Sequence, residues 1–166
     1  MKKILLPAIL ILLIGCDYDI PLSQTASAPA DPALAGTWIE ASTNSNPVSM
    51  EIKTEGMDYI ITYTETDTEA GTKPRSFTFK GFEVHAAGLN LIQLEWQQAD
   101  AAESKEKYVF AKLELTPEGL SVYRLNPVVV SAKCQTSEEL LADIIVHKKN
   151  SSLFNDPLKF SRSADR

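Results

Sequence analysis

The feature that most constrains the fold is a β-hairpin predicted over residues 108–123. Its first arm, Tyr108–Leu115, is rich in aromatic and aliphatic residues, and its second arm is Leu120–Tyr123. Between the arms stands Thr116-Pro117-Glu118-Gly119, in which the proline presets φ for a turn and the glycine accepts a positive φ. The hairpin predicts an antiparallel sheet whose neighbouring strands follow one another along the chain.

Short runs rich in β-branched and aromatic residues, separated by turn signals, extend this pattern over most of the chain. Seven strands are predicted: Thr37–Ser42, Val48–Thr54, Asp58–Thr66, Arg75–Val84, Leu89–Gln97, Lys107–Thr116 and Leu120–Leu125. Residues 153–162 hold enough apolar side chains for one further short strand. The predicted fold class is therefore mainly β, an antiparallel up-and-down meander of roughly seven to eight strands.

Alternating side chains indicate which face of each strand is buried. The clearest sets are Tyr59, Ile61 and Tyr63 on one strand and Ile92, Leu94 and Trp96 on another. Along Phe77–Val84 the aromatic residues change face across Gly81, which predicts a β-bulge or a bend at that glycine. A flat sheet needs no such feature, so the pattern favours a barrel.

One α-helix is predicted after the sheet, over residues 137–149. Thr136-Ser137-Glu138-Glu139 is a capping-box sequence, in which the Thr136 hydroxyl accepts from the amide of Glu139 and the Glu139 carboxylate reaches back. The apolar stripe of this helix consists of Leu140, Leu141, Ile144 and Ile145. We expect the stripe to pack on the sheet, and contact with lipid is the alternative.

The first residues have the layout of a secretory signal. Met1-Lys2-Lys3 is positively charged, and the apolar run from Ile4 to Ile14 is only 11 residues long, too short to span a bilayer as a helix. The run ends in Leu13-Ile14-Gly15-Cys16, which resembles the lipobox of bacterial lipoproteins. The alternative is an ordinary signal peptide with a chance cysteine.

The lipobox resemblance implies where the protein resides. It implies diacylglycerol transfer to the Cys16 thiol, removal of residues 1–15, and an acylated amino terminus that holds the domain on the periplasmic side of a membrane of the cell envelope. The lipid bilayer is then the first expected partner. Asp17 resembles a signal for retention in the inner membrane, and the outer membrane is the alternative.

The segment after the signal, residues 16–33, is rich in proline, alanine and serine and nearly lacks bulky side chains. Such a composition predicts a flexible tether that buries no core of its own. The folded domain is accordingly predicted over residues 34–162, as one unit.

The charge balance excludes one class of partner. The whole chain carries 16 basic and 22 acidic residues, and loss of Lys2 and Lys3 with the signal leaves a net charge of −8. Nucleic acid is not expected as a partner, because binding to it depends on basic side chains that neutralise phosphates. An electrostatic hold on anionic lipid headgroups is disfavoured for the same reason.

The start of the first strand resembles a known family signature. Gly36-Thr37-Trp38 is similar to the Gly-x-Trp motif that opens the lipocalin and wider calycin barrels, although the second lipocalin motif, Thr-Asp-Tyr, is not found. The resemblance implies a lipocalin-like β-barrel in which Trp38 plugs one end. It also implies a basic side chain stacked on the tryptophan, supplied by Arg124 or Arg162.

A barrel of about eight strands is either filled by its own side chains or holds one small ligand. Large residues that could line or fill this interior are Tyr59, Tyr63, Phe77, Phe79 and Trp96. The sequence leaves both outcomes open, and we expect these side chains to fill the interior.

Motifs for catalysis or metal binding are not found in the sequence. The two histidines, His85 and His147, stand 62 positions apart and outside zinc-ligand spacings, and Cys134 has no motif around it. No nucleophile elbow or glycine-rich phosphate loop occurs. We therefore expect no catalytic residue, no metal and no cofactor.

The sequence thus predicts a membrane-anchored, non-enzymatic binding module in the periplasm. Its partner would be an envelope protein or a peptidoglycan-associated molecule. The alternative is a lipocalin-like carrier of a small apolar ligand, which requires a hollow barrel. An enzyme of unfamiliar type is a third hypothesis, and it requires His85 to meet carboxylates in one cleft.

Overall fold

The computed structural model describes residues 17–41, 48–66, 74–97 and 107–163. These ranges contain a short 3₁₀ turn at Pro32–Leu34, eight strands and one helix, α1, at Ser137–His147. The strands are β1 (Gly36–Glu40), β2 (Val48–Glu55), β3 (Asp58–Glu65), β4 (Arg75–Ala86), β5 (Leu89–Trp96), β6 (Tyr108–Thr116), β7 (Gly119–Arg124) and β8 (Leu158–Arg162). The predicted signal peptide, residues 1–15, and Cys16 lie outside the described residues.

The eight strands form a closed antiparallel barrel in which each strand pairs with the next along the chain. β8 closes the barrel against β1, with Trp38 opposite Arg162 and Glu40 opposite Phe160. The predicted up-and-down barrel with one helix is confirmed, and the eighth strand falls within residues 153–162 as expected.

The alternation of strand direction gives the barrel two different ends. β1 begins at the same end as the turns that follow β2, β4 and β6. We call this the closed end, because the buried ring of Trp38 fills it together with Leu34. β5 and β7 finish at the opposite end, at Trp96 and Arg124, and we call that end the mouth.

The predicted hairpin is present as β6 and β7, which pair as far as Thr116 opposite Gly119. Gly119 has a φ of +148°, a conformation that favours glycine. A Cβ atom there would lie 2.1 Å from the carbonyl oxygen of Phe160 on β8. The glycine therefore serves the close approach of β8 as well as the turn.

Of the two features predicted at Gly81, a β-bulge or a barrel-type bend, the bulge is wrong, because β4 pairs with β3 and β5 without interruption across that residue of the closed barrel. The aromatic residues do change face, since Phe79 packs inside the barrel and Phe82 packs outside it. Gly81 instead permits close approach between strands: a Cβ atom there would lie 2.0 Å from the carbonyl oxygen of Gln93.

Both faces of the barrel wall carry a hydrophobic core. The inner core comprises Ala30, Leu34, Trp38, Met50, Ile52, Tyr59, Ile61, Tyr63, Ile92, Leu120 and Phe160. The outer core comprises Tyr18, Leu22, Val84, Ala86, Leu91, Phe110, Leu125, Val130, Leu140, Ile144 and Leu153. The second core explains why β5 carries apolar residues on both faces, with Leu91 outside and Ile92 inside.

Helix α1 contributes Leu140 and Ile144 to the outer core, so packing against the sheet is confirmed. The predicted stripe is wrong at Ile145, which is 55% exposed because the helix buries only a narrow face. The helix ends at His147, two residues before the predicted end at residue 149. Within the described ranges no helix has the length and apolar character needed to cross a membrane.

The cap of α1 has both contacts that the sequence predicts. The Glu139 amide donates to the Thr136 hydroxyl at 3.1 Å, as a capping box requires. The Glu139 carboxylate reaches back and accepts from the amide of Gln135, the residue before the cap, at 2.7 Å.

Residues 17–33, which we call the N-terminal strap, contradict the prediction of a flexible tether. Tyr18 is 1% exposed, its ring packs edge-on against Phe110 at 5.0 Å, and its hydroxyl donates to the Val130 carbonyl at 3.2 Å. Leu22 and Ala30 are also buried. The few bulky residues of this segment are enough to dock it, because the barrel and the segment between β7 and α1 supply the rest of each contact.

Candidate functional site

The barrel encloses an apolar cavity of about 70 Å³, partly open to solvent, on the mouth side of Trp38. Its wall includes Met50, Tyr63, Phe79, Leu94, Leu113 and Phe160, and the one charged residue among the described residues of the wall is Arg124. An engineered apolar cavity of about 150 Å³ holds one benzene molecule. The interior is therefore partly hollow, with room for a narrow apolar group rather than for a bulky ligand.

The closed end is sealed around Trp38, as the Gly-x-Trp resemblance implies. The indole N–H of Trp38 donates to the Leu34 carbonyl at 2.9 Å. The Arg162 guanidinium lies 4.5 Å from the indole ring centroid and donates to the carbonyls of Ala33, at 2.6 Å, and Ala35, at 3.0 Å. Arg162 thus provides the stacked cation, and it also ties the strap to the end of β8.

Arg124, the other basic residue considered for that role, lies at the mouth. Its guanidinium holds the Asp17 carboxylate in a bidentate pair, with Nε to Oδ2 and Nη2 to Oδ1 both at 2.7 Å. The two side chains are 9% and 15% exposed. Burial raises the pKa of Asp17, while the hydrogen bond and the charge of Arg124 act in the opposite direction.

The aromatic residues predicted to line or fill the interior divide into two groups. Tyr63 and Phe79 form part of the cavity wall, and Phe77 packs against the inner core beside them. Tyr59 is fully buried, and its hydroxyl accepts from the amide of Asp31 on the strap at 2.7 Å. The expectation that these side chains fill the barrel is therefore correct only for its closed half.

Trp96, the fifth of these aromatic residues, ends β5 opposite Phe79, which lies on the cavity wall. Its indole nitrogen is buried and has no hydrogen-bond partner among the residues that the structure describes. A buried indole N–H is usually paired. Trp96 lies at the mouth, and it is not among the described residues that line the cavity.

Carboxylates stand on the mouth side of Tyr63. Burial raises the pKa of Glu40, at the end of β1, and the charge of Glu65 adds to this effect. Burial likewise raises the pKa of Glu65, at the end of β3, although Arg75 opposes it. Burial and these two carboxylates also raise the pKa of the Tyr63 hydroxyl. The mouth is thus an environment that disfavours negative charge.

Two polar residues hold the strap, a role that the sequence-based predictions gave to neither of them. Gln93 is 4% exposed; its side-chain oxygen accepts from the amides of Leu22 and Ser23 at 2.7 and 3.0 Å, and its Nε2 donates to the Ser23 carbonyl. Arg124 is the second. Arg124 stands two residues after Val122 and therefore on the same, buried face of β7. A charged side chain on a buried face requires a partner, and this was the signal in the sequence.

The residues considered for catalysis or metal binding do not lie together in one site. His85 is exposed, whereas His147 lies 3.1 Å from the Asp143 carboxylate on the same helix. Cys134 is a free, half-buried thiol, and burial together with the charges of Asp143 and Glu139 raises its pKa. Across the described part of the chain, no three metal-ligating side chains are grouped.

The fold and the cavity define a closed eight-stranded barrel with one sealed end and a narrow apolar site at the other. No protein-family model matches the chain, and neither the curated proteins nor the solved structures gave a match to it.

Proposed function

We propose that this protein is a lipid-anchored, non-enzymatic binding module of the cell envelope, and that its barrel binds a narrow apolar ligand. The observation that carries the ligand is the cavity, whose wall is apolar except for Arg124 and which is sealed at the Trp38 end. Ligand sites of this kind combine an apolar wall with a few placed polar groups. Arg124 is such a group.

The size of the cavity restricts the ligand class. About 70 Å³ accepts a linear hydrocarbon segment of a few carbon atoms more readily than a ring system. Each buried CH₂ group contributes about 0.8 kcal/mol. The ligand we propose is therefore the end of an aliphatic chain, and this revises the sequence-based order, in which a protein or peptidoglycan-associated partner came first.

Titration of the mature protein with a fluorescent fatty acid, cis-parinaric acid, tests this function. Ala111 lies on the cavity wall and is 2% exposed, so Ala111→Leu fills the site. We expect this variant to bind at least tenfold more weakly. Met57→Leu, at an exposed position in the turn after β2, is the matched control. Failure of the wild-type protein to bind, or equal binding by Ala111→Leu, would contradict the proposal.

The anchor rests on the sequence Leu13-Ile14-Gly15-Cys16 and has its own test. Mass spectrometry of the protein from a bacterial membrane fraction should find an amino-terminal, acylated Cys16, and Cys16→Ser should lack the acyl mass. Membrane fractionation then distinguishes the inner membrane, which Asp17 favours, from the outer membrane. An unmodified cysteine in the wild-type protein would refute the anchor.

A protein or peptidoglycan-associated partner is the second candidate, and an exposed apolar surface favours it. On α1, Ile145 and Val146 are 55% and 75% exposed. Crosslinking in envelope preparations, with Ile145→Lys as the variant, tests this candidate. Loss of a specific crosslinked partner in that variant, with retention in Ala111→Leu, would separate this surface from the cavity.

A further inference from the structure

The N-terminal strap runs along the barrel from the mouth to the closed end. At the mouth, the amides of Asp17 and Tyr18 donate to the carbonyl of Tyr108, the first residue of β6, at 2.9 and 3.2 Å. Further along, Ser27 donates to the carbonyl of Glu83, and Ala30 donates to the carbonyl of Gly56 in the turn after β2. The chain therefore enters the fold at the mouth.

The first described residue, Asp17, is held by both its backbone and its side chain. Asp17 is fixed by its backbone to β6 and by its carboxylate to Arg124, whose side chain forms part of the cavity wall. Cys16 precedes it directly, and consecutive Cα atoms are about 3.8 Å apart. An anchor on Cys16 has almost no slack relative to the mouth.

We propose that the Asp17–Arg124 pair holds the mouth of the barrel against the bilayer, and that the cavity takes an acyl chain of a membrane lipid directly from the membrane. This inference rests on the proposed lipid anchor and on the proposed apolar site. The docked strap determines the orientation of the barrel relative to the membrane, because a flexible tether of residues 16–33 would have left the barrel free to face in any direction.

The physical chemistry of the mouth suits this arrangement. A chain end that moves from bilayer to cavity remains in apolar surroundings, so its transfer does not expose CH₂ groups to water. Tryptophan is favoured at membrane interfaces, and Trp96 lies at the mouth. Attraction to anionic lipid headgroups does not orient the domain, since the mature chain carries a net charge of −8.

The two tryptophans report on the orientation, because Trp38 lies at the closed end and Trp96 at the mouth. The test uses the mature, lipidated protein labelled with 5-fluorotryptophan, in phosphatidylcholine vesicles that contain a lipid with a nitroxide on its acyl chain. Each tryptophan gives one fluorine signal, and Trp96→Phe assigns them. We expect the Trp96 signal to broaden and the Trp38 signal to stay sharp.

A spacer variant is the matched control. A Gly/Ser insert of about 12 residues between Cys16 and Asp17, which spans roughly 20 Å, keeps the anchor and the ion pair but releases the mouth from the membrane. We expect it to restore a sharp Trp96 signal. Equal broadening of Trp96 in both proteins, or broadening in neither, would overturn the inference.

The possible failures are distinguishable. If Cys16 carries no acyl group or cis-parinaric acid does not bind, the proposed function fails, and this inference fails with it. If lipidation and binding both hold while Trp96 stays sharp, only the membrane-facing mouth is refuted.

Discussion

Asp17 and Arg124 lie 107 positions apart in the chain, and they form a bidentate ion pair with two contacts of 2.7 Å at the mouth of the barrel. Arg124 is 8% exposed and stands in an otherwise apolar wall. A buried charge without its partner is far more costly than an apolar residue in its place. The pair therefore makes the first residues after Cys16 part of the fold.

Asp17→Asn should destabilise the protein by up to about 3 kcal/mol, because it removes the carboxylate charge from the bidentate pair with the buried Arg124. Arg124→Met combined with Asp17→Asn should recover most of this loss, since the apolar wall accepts methionine. Urea denaturation of the single and double variants measures the coupling. If the loss in the double variant equals the sum of the losses in the two single variants, the two side chains do not depend on each other.

Gly81 and Gly119 should not tolerate alanine. A Cβ atom would lie 2.0 Å from a backbone oxygen at Gly81 and 2.1 Å at Gly119, and backbone cannot move aside as a flexible side chain can. We expect each alanine variant to lose more than about 2 kcal/mol in the free energy of unfolding.

Gly56 provides the control for these variants. Its φ is +64°, but nothing lies within 4 Å of the position a Cβ atom would take. Gly56→Ala should cost only the conformational strain, about 1 kcal/mol, and Gly56→Asn should cost less. If Gly81→Ala loses no more free energy of unfolding than Gly56→Ala, the close approach of β5 does not require glycine at position 81.

Strand positions could be predicted because period-two alternation and turn residues are local signals. The hairpin around Pro117 and Gly119 needed no knowledge of the rest of the chain. The interpretation of Gly81 as a bulge was wrong because the outward aromatic residue nearby is explained by distant parts of the chain. Phe82 faces outward because a second core lies there, built partly from the strap and α1, so an outward aromatic does not require a break in register.

The candidate site was less predictable than the fold. Composition indicated a tether for residues 16–33, yet docking there depends on single residues, above all Tyr18, whose partners stand in distant strands. The Gly-x-Trp resemblance implied a stacked cation at Trp38, and the structure selects Arg162 over Arg124. Cavity volume depends on how side chains from all eight strands meet, which no local pattern encodes.

Arg162→Met should weaken the seal at the closed end. The change removes the contact with the Trp38 ring and the hydrogen bonds to the carbonyls of Ala33 and Ala35. Because Arg162 is exposed, we expect a loss of about 1 kcal/mol. Lys159→Met, at an exposed position of the same strand, is the control and should be nearly neutral. Urea denaturation followed by tryptophan fluorescence measures both; equal effects would show that the stacked cation adds nothing.

The carboxylates at the mouth predict how stability depends on pH. Burial raises the pKa of Glu40 and Glu65 above the ordinary value of 4.5, so the folded state binds protons more tightly than the unfolded state. Their favourable contribution is then complete below pH 4.5 and is lost as the pH rises through the raised pKa values. Stability should therefore fall over this interval because of these two groups.

Glu40→Gln combined with Glu65→Gln removes this titration. The melting temperature of the double variant should exceed that of the wild-type protein by more at pH 7 than at pH 4. The two carboxylates are partly buried at both pH values, but they carry the unfavourable charge only at the higher pH. Glu51→Gln, on the exposed face of β2, controls for a simple loss of negative charge. A gain of equal size at both pH values, or an equal gain in Glu51→Gln, would mean that burial at the mouth is not the cause.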